Sequence, residues 1–261
     1  CFPRDLNQEQ FDAIMRDCKL ARATLQKAKF QGANLAGADF TGANCTGANL
    51  AGAVLSGVKF SSTVLDGVDM TDTVTDKPAG KPLSELALPP DEMLRLHATW
   101  ADSAGAQGAV ADLSGVDCRG LPPLRGKLLV GLKAERATLV GLDMAGCQLQ
   151  GAKLAGADLR DCKLAGADLR GVNLAGAKLT RADLRDCDFT PLVPLPGRSF
   201  PANLADAVMR AADLRGAKFA GAAMDRVDLR DVQLDDGQLA EIDFSTATVD
   251  PRLKARITPG A

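Results

Sequence analysis

The stretch "ADLRDCKLAGADLRG", residues 157–171, sets Leu159, Leu164 and Leu169 five residues apart, with Ala157, Cys162 and Ala167 two places before each. A period of five fits neither common secondary structure. On an α-helix, five residues advance about 140° beyond a full turn at 3.6 residues per turn, so the leucines would point to every side. On one continuous strand, side chains alternate, and every second leucine would be wasted on solvent. A short extended piece followed by a turn does satisfy the pattern. Residues i−2 and i then share one face, and the remaining residues turn the corner. Each pentapeptide becomes one side of a coil, with Gly156, Gly166, Gly171 and Gly176 easing the corners and the leucines pointing to the axis. Coils stacked at strand spacing, roughly 4.8 Å, place like positions in ladders, which is a solenoid stabilised by neighbour-to-neighbour contacts.

The runs "ANLAGADFTGANCTGANLAG" (33–52) and "AKLAGADLRDCKLAGADLRGVNLAGAKL" (152–179) resemble pentapeptide-repeat proteins, whose pattern is A-(D/N)-L-x-x. The resemblance extends over most of the chain. It implies an all-β solenoid, a right-handed quadrilateral β-helix with four pentapeptides per coil; the periodicity alone supplies only the side of a coil.

Four regions follow. Residues 1–75 form an N-terminal cap and a first repeat block, in which every fifth position from Leu20 to Met70 is inward. Residues 76–110 are a linker and capping helix. "TDKPAGKP" breaks the phase, and Pro90, Asp91 and Glu92 suit a helix start while Gly105 suits a stop. Met93, Leu96, His97 and Trp100 form one apolar stripe on that helix, short enough to plug a coil end. His97 and Trp100 are each unique in the chain, yet no second catalytic group lies near them in sequence, and packing is the reading adopted. Residues 111–250 are a second repeat block, restarting at "ADLSGVDCRG", shifted by one residue at "LPPL" (121–124) and weakest at Ala134. Residues 251–261 are read as a basic tail without an amphipathic stripe.

Within the second block, "TPLVPLPGRSFPA" (190–202) interrupts the repeat without losing its phase, since fifteen residues separate Phe189 from Leu204. Its prolines lack the N–H that ladders need, which favours an extruded loop over three degenerate sides. Loops on rigid scaffolds often carry binding. Arg198 and Phe200 are therefore candidate partner contacts, with a tolerated insertion as the alternative.

The D-L-R units place an acid and a base on either side of an inward leucine, so both project outward and neutralise one another. Arg170, Arg210 and Arg230, the other candidate contacts, are spaced by multiples of twenty. They form a stripe if the coil count is unbroken; if the proline loop is extruded, Arg170 sits on another face. The repeats from Ala207 to Asp243 carry extra acids.

With 31 basic and 33 acidic residues, the chain lacks the basic excess that nucleic acid or an anionic membrane attracts. No apolar run approaches the roughly 20 residues of a membrane span, and no signal peptide is evident. The chain opens on Cys1, as a fragment or processed product does, and "FPRDL" lacks the small polar residues expected after a lipidated cysteine. Seven cysteines without C-x-x-C spacing read as buried reduced thiols, not metal or cofactor ligands. This suits a cytoplasmic protein, or one delivered by a secretion system.

No nucleophile–base pair, phosphate loop or metal cluster is present, so the expected role is non-enzymatic. It is a scaffold for an unknown protein partner, part of a larger bacterial protein and without cofactor. The cap helix followed by "ADLSGVDCRG" resembles an element of bacterial multi-domain pentapeptide-repeat proteins, some of which accompany type VI secretion loci. The alternative that the resemblance implies is a DNA mimic acting on gyrase. Such mimics are strongly acidic rods with a C-terminal helical dimer module, and this chain departs from both.

Overall fold

The computed structural model describes residues 15–257 and divides the chain into two compact units, Cys1–Ala79 and Gly80–Ala261. Both are β-helix-type solenoids built almost wholly from isolated parallel bridges.

In the first unit each bridge joins residues twenty apart, as in Lys19↔Asp39, Asp39↔Lys59 and Val54↔Val74. The repeat dictates this hydrogen bonding. The inward residue donates its N–H up the stack, Leu35 to the Val54 carbonyl at 2.8 Å, while the residue before it donates down the stack, Asp39 to Cys18 at 2.9 Å. A turn bond from Ala38 N–H to the Leu35 carbonyl, 3.0 Å, closes the side. The chain then passes a corner with positive φ. Glycine suits that corner, yet Asp161 (φ 58°) and Arg181 (φ 60°) adopt it too, because bonds to the neighbouring coils hold them against a strain of about 1–2 kcal/mol. Inside, Leu35, Phe40, Cys45 and Leu50 are completely buried, and Phe40 packs against Phe60 with ring centres 5.5 Å apart and planes tilted by 35°.

The second unit opens with strand β1 (Lys81–Pro82), paired in parallel with β2 (Val116–Asp117), and a 3-10 turn at Leu83–Glu85. Helix α1 (Pro90–Asp102) follows, with Pro90 in its first turn. Leu94 and His97 are its buried residues; Leu96 and Trp100, placed on the apolar stripe by spacing, are only half-buried. His97 Nδ1 accepts the Ala111 N–H at 3.1 Å, so its ring caps the entry of the repeat, and Trp100 stacks on it at 5.8 Å.

The ladder spacing then records each irregularity. It is twenty-one residues at Asp112↔Lys133 and Asp117↔Thr138, across the 121–124 shift, and twenty from Leu128↔Gln148 onward. It rises to thirty across residues 190–202, at Asn173↔Asn203 and Asp188↔Lys218, and returns to twenty at Asn203↔Ala223. Ten residues are thus left out of the stack, and they form an antiparallel hairpin of β3 (Leu192–Leu195) and β4 (Arg198–Phe200).

Two short helices close the far end. In α2 (Asp236–Glu241) a reciprocal capping box joins Asp235 and Gln238, and α3 spans Pro251–Ile257. Residues 251–257 of the region read as a tail therefore form a cap, and the rest of that region lies outside the described residues. Leu253 is buried, and Ile257, one turn on, packs against the same core. A helix of seven residues is too short for such a stripe to stand out in sequence. Side chains here replace the missing next coil: Gly216 N–H donates to the Asp235 carboxylate (3.0 Å), Phe219 N–H to Glu241 (2.8 Å) and Asp231 N–H to Asp250 (2.8 Å). Among the described residues, no helix is long and apolar enough to cross a membrane.

Candidate functional site

The hairpin is the one insertion that leaves the stack between coils of the second repeat block, among the described residues. Pro196 and Gly197 occupy its two-residue turn, with Gly197 at φ 78°, matching the Pro-Gly preference of a type II turn. The hairpin is seated on the wall of the solenoid. Side chains at three corners of that wall are absent: a Cβ on Gly171 would lie 2.7 Å from the Leu192 Cβ and 3.1 Å from the Phe200 carbonyl oxygen. One on Gly221 would lie 3.0 Å from Pro191, and one on Gly151 would lie 3.7 Å from the Leu192 side chain.

With Leu192 turned to the wall, alternation puts Val193 and Leu195 on the other face. They are 59% and 58% exposed and Phe200 is 50% exposed, three of the five large hydrophobic residues left in solvent among the described residues. Pro194 interrupts β3, and Pro191 and Pro201 flank the hairpin. Missing N–H groups blunt its edges against strand addition. Contact through this element is therefore contact through side chains.

The surrounding wall is electrically quiet. Each D-L-R unit folds its arginine onto its own aspartate with two bonds, as in Arg170 to Asp168 (2.9 and 2.6 Å) and Arg185 to Asp183 (2.8 and 2.7 Å); Arg160 and Arg230 do the same with Asp158 and Asp228. Burial pushes the Asp168 and Asp228 carboxyls up, but the arginine bonds and charges outweigh it and hold both below the usual carboxylate range. Pairs also run between coils, Arg181 to Asp161 (2.8 and 2.7 Å) and Arg226 to Asp206 (both 2.7 Å). Arg198 is exposed on the hairpin and pairs with no carboxylate among the described residues.

The five residues singled out in sequence occupy three places. Arg198 and Phe200 stand on β4. Arg210 and Arg230 follow Val208 and Asp228, which bridge directly, so they are neighbours in one column. Arg170 belongs to another column, the ladder Asp168–Asp188–Lys218. Spacing by multiples of twenty aligns it with the other two only in an unbroken coil, and the ten extruded residues move it to another face. Val193 and Leu195 escaped notice because apolar residues are assigned inward by default.

Burial pushes the Cys118 and Cys187 thiols up to about 12 and the Cys162 thiol higher still, which favours the protonated thiol over the thiolate at each. Among the described residues no group of three His, Cys, Asp or Glu side chains could hold a metal ion.

The ladders, corners and inward leucines define the class, a β-helix-type solenoid of five-residue repeats. The family model "Pentapeptide repeats" matches in eight copies, over residues 18–57, 33–72, 129–164, 152–190 and 202–247. These spans cover more than half of the chain, which belongs to the pentapeptide-repeat family. Among solved structures, Rfr23 from the cyanobacterium Cyanothece 51142 is similar at 22% identity, over 45% of this chain and 63% of that one, with a TM-score of 0.30; the match thus spans less than two thirds of Rfr23. HetL from Nostoc sp. strain PCC 7120, involved in heterocyst differentiation regulation, is 21% identical over 94% and 95% of the two chains, with a TM-score of 0.27. QnrB1, a plasmid-mediated fluoroquinolone resistance protein, is 14% identical over 90% of each, with a TM-score of 0.37. No curated protein sequence matches the chain.

Proposed function

We propose that this chain is a non-enzymatic protein-interaction scaffold, built from right-handed quadrilateral coils, whose second unit presents the 192–200 hairpin, with Arg198 and Phe200, to a protein partner. The observation that carries the reading is the hairpin itself: ten residues the ladder does not need, seated by Leu192 on glycine corners, expose Val193, Leu195 and Phe200. Exposed apolar residues gathered on one element mark interaction sites. The bidentate Asp–Arg pairing neutralises the rest of the wall, which supports this reading over a DNA mimic, whose rod needs uncompensated acids.

Deleting residues 191–200 tests it. The deletion restores twenty-residue spacing, with Pro201→Gly added because the corner so formed needs a positive φ. The variant should keep its fold by circular dichroism and lose the partner that the full chain captures from its source cell. Undiminished recovery of that partner removes the hairpin from consideration, and inhibition of gyrase supercoiling at stoichiometric concentration would overturn the scaffold reading.

A further inference from the structure

The two units end differently. The last coil of the second unit is covered by helices and by side chains that take the place of a further coil, including the Gln238 amide on the Ala217 carbonyl (3.1 Å) and Thr246 on the Arg226 N–H (2.9 Å). The last coil of the first unit, residues 55–74, begins in the same way, with Gly57 N–H on the Asp76 carboxylate (2.9 Å). Three of its sides go without. The N–H groups of Phe60, Leu65 and Met70 donate to nothing among the described residues, and the carbonyls of Val58, Thr63 and Val68 accept nothing there. In the coil below, the equivalent N–H groups of Phe40, Cys45 and Leu50 all donate upward, at 2.8–2.9 Å. The side chains follow suit: Phe40, Cys45 and Leu50 are fully buried, whereas Phe60, Leu65 and Met70 are half-exposed.

An open ladder edge is a template for another chain, and this one constrains what can sit on it. Its free donors and acceptors flank Lys59, Val64 and Asp69, five residues apart around three sides. A partner must repeat that spacing, so it is another pentapeptide coil. Two edges of this kind are self-complementary when they meet face to face. Each N–H of Phe60, Leu65 or Met70 then finds a carbonyl of Val58, Thr63 or Val68, in antiparallel non-hydrogen-bonded pairs with Cα atoms about 4.5 Å apart. A two-fold axis through the middle side places Val64, 42% exposed, against Val64 of the second copy, and exchanges the flanking sides so that Lys59 meets Asp69 twice.

Charge selects this arrangement over head-to-tail stacking. In the register that continues the coil, Lys59, Val64 and Asp69 would meet Lys19, Thr24 and Lys29 of the next copy, so one opposite pair is offset by lysine on lysine, whereas the two-fold makes two opposite pairs and no like one. Within the unit, Lys59 already bridges Asp39 on the coil below, the pairing that the two-fold repeats. We infer that the chain forms a two-fold dimer through the open edge of residues 55–74, with Val64 on the axis and Lys59 opposite Asp69.

The experiment uses the full chain in sedimentation velocity over a concentration series reaching roughly 100 µM. Wild type should pass from monomer to dimer, and Val64→Lys, an exposed substitution that brings two like charges face to face, should remain monomeric with an unchanged melting temperature. Val64→Cys should form a covalent dimer on mild oxidation where wild type does not, since about 4.5 Å between Cα atoms permits a disulfide. Reversing Lys59→Asp alone should dissociate the dimer, and adding Asp69→Lys should restore it. A monomer at every concentration, a Val64→Lys dimer, growth into filaments, or absence of the Val64→Cys cross-link each overturns the inference.

Discussion

Arg181 and Arg185 sit four residues apart, and each makes two bonds to an aspartate, yet the structure assigns them different energetic weights. The Arg181–Asp161 pair joins successive coils with both side chains nearly out of solvent, 5% and 9% exposed, while Arg185–Asp183 lies within one side at 49% and 28%. Truncating Arg181 to alanine strands a desolvated carboxylate beside a coil junction. Breaking a buried pair in this way costs about 3–5 kcal/mol, and the low end, about 3, applies to a pair that still borders solvent. Arg185→Ala leaves a carboxylate that water can reach, and exposed pairs are worth about 0–1 kcal/mol. For a unit of this size, 1 kcal/mol moves the melting temperature by about 2–4 °C. Arg181→Ala should therefore lower it by roughly 6–12 °C and Arg185→Ala by at most a few degrees. Thermal unfolding followed by far-UV circular dichroism distinguishes them. Equal shifts would refute the argument that burial, not bond geometry, sets the value of these pairs.

The ladder interior is tested by Leu159→Asp, which puts a carboxylate where exposure is 0%. It should prevent folding of the second unit, while Arg170→Ala, 40% exposed in its pair, should melt within a few degrees of wild type; matching melting curves would invert the inside–outside assignment. The thiols of Cys147, Cys162 and Cys187 donate to the carbonyls of Leu124, Leu139 and Leu164 at 2.8–3.1 Å, and burial raises each. Peptide-resolved alkylation of the native protein at pH 8 should mark half-exposed Cys18 well before these three, and equal rates would show that the stack opens freely. Burial lowers the His97 pKa and outweighs an opposing bond to the Leu129 backbone, while its Nδ1 accepts the Ala111 N–H. Its folded pKa is lowered, so the unfolded chain takes up a proton as pH falls below about 6.5 while the folded chain does not. Stability should fall through that window and level off once the folded ring is also protonated. His97→Gln should flatten this part of the melting-temperature profile, and an unchanged slope would assign the loss to carboxylates.

What a repeat reveals is position within a coil, and what it conceals is where the stack stops. Leu159, Ala157 and the D-L-R pairs were legible because the same five-residue argument applies to each of them, and the ladder follows from the hydrogen bonds that argument demands. The hairpin was legible through its prolines and its preserved phase, but not the exposure of Val193 and Leu195, since nothing in an apolar residue says that its side of the coil has been lifted out of the stack. The cap at Leu253 was hidden in a helix too short to show a stripe. Phe40 and Phe60 make the limit sharpest. They occupy the same repeat position twenty residues apart and pack ring against ring, yet one is sealed and the other half-exposed. The difference lies in neither residue but in the coil that should lie above Phe60. A solenoid therefore hides its interaction surfaces at the points where its own pattern gives no sign of ending, and an uncapped coil identical in sequence logic to a buried one is the place where a second chain can continue the ladder.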